Sequence, residues 1–368
     1  MTNDELSIKE STLLQLLHNK TKMGFEGKSW DEWFEYVFNP DSVEKSTQTE
    51  LEKSMEKVIH EKGFEDWVRN FALNLNDIWN EPSAKELDPS KNSSYKIEEH
   101  SAIVIGRGPS IKKHKHLEKL ADSNYQGTIV CTDGALINTL QAGVTPKKFS
   151  KFIVVTIDSF EGIDKLYDDK IVDTYGNGIS GIFSTVVKPE AVYRARKAGI
   201  KIHWLHSLFD YSEGKKSFNQ ISALMVRAKN HLHGLPAIQT GGNVGTASWF
   251  LSWQILKCST VALIGINHGW NEDDPWDIII SHNYTHSPVE MDKNSIAFKK
   301  LYPKIFNPEF NCHCILDPIF QFYSNALKEF ISRSPSWVTT INATEGGSIF
   351  GDRIKCTTFE NFLKDHMS

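Results

Sequence analysis

The chain has 368 residues, 24% of them charged, a formal net charge of -5 and a mean hydropathy of -0.37. That length exceeds one typical domain and can bury a substantial core, and the mild acidity argues against nucleic acid as a partner. No apolar run approaches a bilayer span and the opening Met1-Thr2-Asn3-Asp4-Glu5-Leu6 lacks the basic and apolar regions of a signal peptide, so no membrane association is expected. Cys131, Cys258, Cys312, Cys314 and Cys356 have no disulfide-scaffold spacing, which favours a reducing, cytoplasmic setting.

Residues 1–95 read as a helical region. Trp30, Trp33, Phe34, Val37 and Phe38, then Trp67, Phe71 and Leu75, recur at helical spacing among charges, with breaks expected near 24–27, 39–41 and Gly63. Such a stripe most often packs on the next domain or on a second copy of the chain; the alternative is a lid or a surface for a protein partner. Glu81-Pro82-Ser83 through Ser94 is rich in turn formers and reads as a linker.

From residue 96 to about 290 the pattern changes to short apolar runs alternating with helical periodicity, the mark of a Rossmann-like, mostly parallel sheet flanked by helices. Ser101 to Ile105 is continuously apolar after its first residue, as a strand buried on both faces would be, and ends in Gly106-Arg107-Gly108-Pro109-Ser110. The spacing of Gly106 and Gly108 lets a ligand approach the backbone, and Ser110 is placed to cap the next helix. A third glycine and a ribose-binding acid are missing, which argues against NAD. Lys112-Lys113-His114-Lys115-His116 is the only basic block and reads as a solvated helix face. Gly127 to Thr132 and Phe152 to Ile157 are further strands ending at Asp133 and Asp158, where open α/β sheets bind ligands. Gly181 to Val187, Lys201 to Leu205 and Thr260 to Ile266 read as strands; Pro189 to Ala198, Ser217 to His233 and Gly245 to Lys257 read as helices.

The most informative stretch is Thr240-Gly241-Gly242-Asn243-Val244-Gly245-Thr246. Its glycines permit backbone paths closed to other residues, and the apolar run that follows opens a helix at the turn. Unpaired N–H groups and the positive end of the helix dipole then suit a phosphate or carboxylate; the plain alternative is a tight loop closing a helix onto a sheet. After Ile266, the run Asn267-His268-Gly269-Trp270 to Trp276 mixes amide, imidazole, acids and indoles, as a substrate pocket or an ordinary polar loop would. Residues 291–368 read as a helical or irregular extension packed on the sheet domain. His282 and His286 lack a third partner, and Cys312-His313-Cys314 lacks a second pair, so zinc is not expected.

Taken in order, Gly106 to Ser110, Thr132-Asp133-Gly134-Ala135-Leu136, Gly143-Val144-Thr145-Pro146, Val154 to Ser159, Thr240 to Thr246, Leu263 to Asn267 and Asn342 to Gly347 resemble the 6-hydroxymethylpterin diphosphokinase MptE-like family. The same domain occurs in bacterial motility accessory factors associated with flagellin glycosylation. The resemblance implies a transferase whose glycine turns, Gly106, Gly108, Ser110 and Thr240, Gly241, Gly242, Asn243, Gly245, Thr246, hold a nucleotide. It implies Asp158, Asp133 and Asn267 as catalytic residues, with Asp158 on magnesium bound to ATP. Family members have an Asp-x-Asp pair at the end of the strand preceding Ser159; here Thr156 replaces the first acid, which weakens the case for pyrophosphoryl transfer.

Three functions follow as expectations. The first is diphosphokinase-type transfer from ATP to a 6-hydroxymethylpterin-like alcohol. The second is transfer of a CMP-activated nonulosonic acid to a protein hydroxyl, and the third is a non-catalytic nucleotide-binding module. Substitution of Asp158 or Gly242 should abolish ligand binding with little loss of fold.

Overall fold

In the computed structural model, residues 50–91, 94–96, 100–208, 234–282 and 302–366 are described, together with Ser222, Met225, Asn294, Phe298 and Lys299. The expected aromatic helix around Trp30, most of the helix from Ser217 to His233, and His286 lie outside the described residues.

The strands are β1 (Ser101–Ile105), β2 (Thr128–Thr132), β3 (Phe152–Thr156), β4 (Ser180–Ser184), β5 (Lys201–Leu208), β6 (Ala237–Gln239), β7 (Thr260–Ile264), β8 (Trp270–Asn271), β9 (Lys304–Asn307), β10 (Cys312–Ile315), β11 (Thr339–Asn342) and β12 (Ile354–Cys356). The helices are α1 (Glu50–Asn80), α2 (Ser110–Lys113), α3 (His116–Asp122), α4 (Leu136–Gln141), α5 (Lys170–Tyr175), α6 (Pro189–Lys197), α7 (Val244–Gln254), α8 (Trp276–Ser281), α9 (Pro318–Arg333) and α10 (Phe359–His366). Nine strands form one parallel sheet in the order β12-β11-β7-β1-β2-β3-β4-β5-β6; β8, β10 and β9 form a small antiparallel sheet beside it. The α/β architecture with a mostly parallel sheet is therefore as the sequence implies.

Why the strands read as unbroken apolar runs is clear from the layers. In β1, Ile103 and Ile105 join the core under α1, α3, α4 and α10, whereas Ala102 and Val104 join the core under α7 and α9. Both faces are dry, so every position of a central strand must be apolar. Helix α7 is sandwiched more completely than any surface helix: Val244 to Trp253 are all buried. Trp249 fills the space against β11 and donates its indole N–H to Thr340 Oγ1 at 2.9 Å, so the polar atom of that large ring is satisfied.

Helix α1 runs through Gly63 without a break. The Trp67 ring lies against Gly63, where a Cβ would come within 2.7 Å of the indole, so packing outweighs the roughly 1 kcal/mol helix cost of one glycine. Phe71 and Ile78 enter the main core, and Asn70 and Asn74 donate to the carbonyls of Val186, Thr185 and Val187. Those bonds explain why β4 ends at Ser184 rather than continuing to Val187: its next carbonyls serve α1 instead of a ladder. The turn-rich stretch after α1 is docked too, with Pro82 O accepting Trp204 N–H and Glu81 accepting the Trp204 indole.

Residues 291–368 were expected to be helical or irregular, yet β9, β10, β11 and β12 lie there and β11 and β12 complete the main sheet. Each is three or four residues long and β11 is polar at Thr339, Thr340 and Asn342, so neither periodicity nor an apolar run marks it. The three-residue β6 escapes notice for the same reason. Among the described residues no helix is long and apolar enough to cross a membrane.

Candidate functional site

The chain leaves β1 toward β2, β3, β4, β5 and β6 on one side and returns through β7 to β11 and β12 on the other. The carboxyl ends of β1 and β7 are thus the topological switch point, where open α/β sheets form their ligand crevice. Here the two strand ends interlock through backbone. Gly106 N–H donates to Ile264 O at 2.9 Å and Gly108 N–H to Gly265 O at 2.8 Å. A Cβ on Gly106 would stand 2.4 Å from Gly265 O, and one on Gly108 would stand 2.2 Å from Asn267 Oδ1, so close approach is what requires glycine at both positions. Ser110, buried, donates its hydroxyl to Asn267 Oδ1 at 3.0 Å. The sequence-predicted residues Gly106, Gly108, Ser110 and Asn267 are thereby one cluster.

The carboxylates come from the next two strand ends. Asp133 is buried at the end of β2; its Oδ1 accepts Gly134 N–H at 2.7 Å, while Oδ2 is buried with no hydrogen-bond partner. Burial and then the nearby Asp158 charge push the Asp133 carboxyl up to about 7, against the opposing pull of Gly134, Thr156 and Arg107. Asp158 is pushed up to about 6 by burial, with Arg107 opposing. Both acids therefore sit in a place that disfavours their charge and would gain from an added cation. Thr156, where the family pattern has a second acid, is fully buried and shares a short hydrogen bond with the Tyr167 hydroxyl. A carboxylate there would be a third acid packed beside Asp133 with no cation in contact, so the threonine suits this particular interior.

Arg107, which sequence reasoning quoted but gave no role, is the charge that faces both acids. Its stem lies over Gly134, where a Cβ would come within 3.1 Å of Arg107 Cδ, and it is exposed at the mouth of the crevice. The available signal was an arginine held between two glycines that are themselves needed for backbone contact.

The turn between β6 and α7 divides in two. Gly241 and Gly242 have φ of +60° and +78°, the left-handed path expected of this glycine pair. Asn243 caps α7, its Oδ1 accepting Thr246 N–H at 2.8 Å and its Nδ2 donating to Thr246 Oγ1 at 2.9 Å. Gly245 abuts Ile266, the residue that also abuts Gly106, so the amino end of α7 points into the switch-point crevice. Thr240, Gly241 and Gly242 lie instead against α9: a Cβ on Gly242 would meet Phe322 at 2.6 Å and Tyr323 at 2.8 Å. Substitution at Gly242 therefore disturbs packing and forces a strained φ, contrary to the expectation of little loss of fold.

A second layer holds Asn267. Ser348 N–H donates to Asn267 O at 2.9 Å, the Ser348 hydroxyl reaches His268 O at 2.6 Å, and Gly347, at φ +77°, is so close that a Cβ would be 2.3 Å from Asn267 O. Glu345 of the same loop accepts from His116 Nε2 at 3.2 Å and from Phe359 N–H at 3.2 Å, tying the loop to α3 and to the start of α10. Burial lowers the His116 imidazole to about 4 and that of His268 to about 3. His268 stands at φ +40° with Nδ1 buried and unpartnered, and its ring stacks on Phe320.

Among the described residues no group of three or more His, Cys, Asp and Glu side chains converges as metal ligands. Asp133 and Asp158 nevertheless fit magnesium in chemistry: hard oxygens, one of them an orphaned buried acceptor, in the number that magnesium takes when phosphates complete its shell.

Comparison with known proteins gives three findings. A model of the family described as 6-hydroxymethylpterin diphosphokinase MptE-like matches residues 69–273. A 6-hydroxymethyl-7,8-dihydropterin pyrophosphokinase from Methanocaldococcus jannaschii is 33% identical over 92 residues, which cover 24% of this chain and 37% of that protein. The structure of a MAf glycosyltransferase from Magnetospirillum magneticum AMB-1 aligns with a TM-score of 0.49 and 15% identity, covering 79% of this chain and 40% of its own. The family match spans more than half of the chain, including β1 through β7 and every residue of the switch-point cluster, and this chain belongs to the 6-hydroxymethylpterin diphosphokinase MptE-like family.

Proposed function

We propose that the protein is a transferase that binds a magnesium nucleotide at the switch point and carries a pyrophosphoryl group from ATP to an alcohol of the 6-hydroxymethylpterin kind. The observation that carries this reading is the pair Asp133 and Asp158, one with a buried oxygen that lacks a partner, set with Arg107 at the strand ends beside the glycine turns. Arg107 and the amino end of α7 supply positive potential for phosphate oxygens. Asp133 and Asp158 would hold magnesium, which supplies charge neutralisation for the transferring phosphates. Asn267, its Oδ1 occupied by the Ser110 hydroxyl, offers its amide N–H groups to the substrate. The chain's own contribution is thus orientation and electrostatics rather than a covalent intermediate.

Thr156 favours a second reading, in which the same turns hold the phosphate of a CMP-activated acidic sugar and no paired acid is needed. The two separate on ligand-induced stabilisation and product. The first reading expects a rise in melting temperature with ATP that requires magnesium, and AMP formed only when 6-hydroxymethyl-7,8-dihydropterin is present. Stabilisation by CMP alone, independent of magnesium, would replace it with the second; no stabilisation by any nucleotide removes both.

A further inference from the structure

Behind Asn267 lies a second pair of side chains that the phosphate site does not use. Asp317 has no solvent exposure, and both of its oxygens accept hydrogen bonds. Its Oδ1 accepts Phe320 N–H at 2.7 Å, capping α9; its Oδ2 accepts the Trp270 indole N–H at 2.7 Å and lies 2.6 Å from His282 Nδ1. Because a carboxylate accepts, Nδ1 carries the hydrogen of the neutral ring and Nε2 is left with its lone pair. Nε2 makes no hydrogen bond among the described residues, and the His282 side chain is 28% exposed. Phe320 covers one side of the ring at 4.7 Å and Trp270 meets it edge-on at 5.3 Å. One nitrogen is fixed by a buried acid, the ring is clamped by two aromatics, and the other nitrogen is open: this is the arrangement of an oriented general base.

Its place in the fold links it to the site. Trp270 is in the loop that begins with Asn267, and Phe320 stacks on His268 as well as on His282. Tyr323, whose ring is 5.8 Å from His268, also packs under Gly242. A partly exposed aromatic wall of Trp270, Phe320 and Tyr323 therefore runs from the glycine turn to His282.

We propose that His282, oriented by Asp317, is the general base for the acceptor hydroxyl. The inference rests on the transferase reading above. In the step, His282 Nε2 takes the proton of the acceptor hydroxyl as its oxygen forms a bond to the β-phosphorus of ATP. The bond from that phosphorus to the bridging α-phosphate oxygen breaks, AMP leaves with the electron pair, and the imidazolium returns its proton to water. Asp317 is a positioning residue, holding the tautomer and the ring.

The test uses the full chain with magnesium, ATP and 6-hydroxymethyl-7,8-dihydropterin, comparing wild type with His282→Gln, His282→Ala and Asp317→Asn. The expected result is a fall in kcat of about 100-fold or more in His282→Gln, with KM for ATP and the magnesium-ATP melting shift unchanged. Free imidazole should restore part of the rate in His282→Ala. A His282→Gln rate within threefold of wild type overturns the assignment, as does loss of the magnesium-ATP shift together with activity, which would make the residue structural. An inert wild type overturns the transferase reading and the base with it; an active wild type with an indifferent variant removes the base alone.

Discussion

Two regions meet at the carboxyl end of the sheet, and they are built on opposite rules. Around Asn267 the oxygens are spent, the side-chain oxygen on Ser110 and the carbonyl on Ser348, with the supporting loop tied by Glu345, Asn342 and Thr344. The unpartnered atoms there are ring nitrogens of the neutral imidazoles His116 and His268. Around Asp133 and Asp158 the account is left open, with a buried oxygen lacking a partner and both carboxyls held above their ordinary range. A satisfied network rigidifies; an unsatisfied one is a cost in the free protein that a ligand can remove. The difference teaches which half is frame and which half waits for charge.

The frame should break most sharply at Gly347. A Cβ there would be forced onto Asn267 O at a left-handed φ, so Gly347→Ala is expected to cost about 3 kcal/mol, measured by urea unfolding. A cost below about 1 kcal/mol would mean that the loop yields and does not fix Asn267. The open half responds in binding instead. Asp158→Asn should weaken magnesium-ATP by about 100-fold, roughly 2.7 kcal/mol, in a titration, while the melting temperature of the free protein stays level or rises. Equal loss of free-protein stability would place Asp158 in the frame.

Much of the open half was legible in the sequence because its elements are local: a strand run followed by an acid, or by closely spaced glycines, announces itself within a dozen residues. Gly106, Gly108, Asp133 and Asp158 were marked in this way. In the frame, Ser110 and Asn267 were marked beside strand ends, but the loop from Asn342 to Gly347 was legible only as a family resemblance, since its meaning is a contact between residues about eighty positions apart, Ser348 with Asn267 and His268. Asp317 gave no signal, and His282 was weighed only as a metal ligand with His286 and set aside: an acid before a proline and a histidine after an apolar turn are ordinary until α8 and α9 are brought together. The short strands β11 and β12 were hidden because strands of three or four residues with polar positions carry no usable period.

A smaller effect sharpens the contrast within the open half. Asp133→Asn removes a charge that the fold disfavours, so the free protein should gain about 1–2 kcal/mol at pH 8, read as a higher melting temperature, while losing the magnesium-dependent shift with ATP. Destabilisation at pH 8 would show instead that the charge is well compensated by Arg107 and Thr156.

The smallest effect is in the pH profile, where the two halves should pull in opposite directions. The carboxyl of Asp133 binds its proton more tightly in the fold than in the unfolded chain, so its contribution to stability rises as pH falls from about 7 toward 4. His116 has the reverse sign. Burial keeps its ring neutral in the fold, with a value of about 4 against 6.5 unfolded, so stability is present above 6.5 and drains away as pH falls toward 4. His268, lowered to about 3, drains in the same window and beyond. The wild type should therefore hold a nearly constant melting temperature between pH 7 and 4.5, a cancellation rather than an absence of titration. Asp158, raised to about 6, contributes with the same sign. Asp133→Asn therefore removes the larger of two compensating limbs, and the same interval should then show a decline equivalent to about 1–2 kcal/mol, a few degrees. A flat profile in that variant would mean that His116 and His268 gain their protons without opening the frame, and the hydrogen bond from His116 to Glu345, which protonation would strengthen as an ion pair, would be the reason.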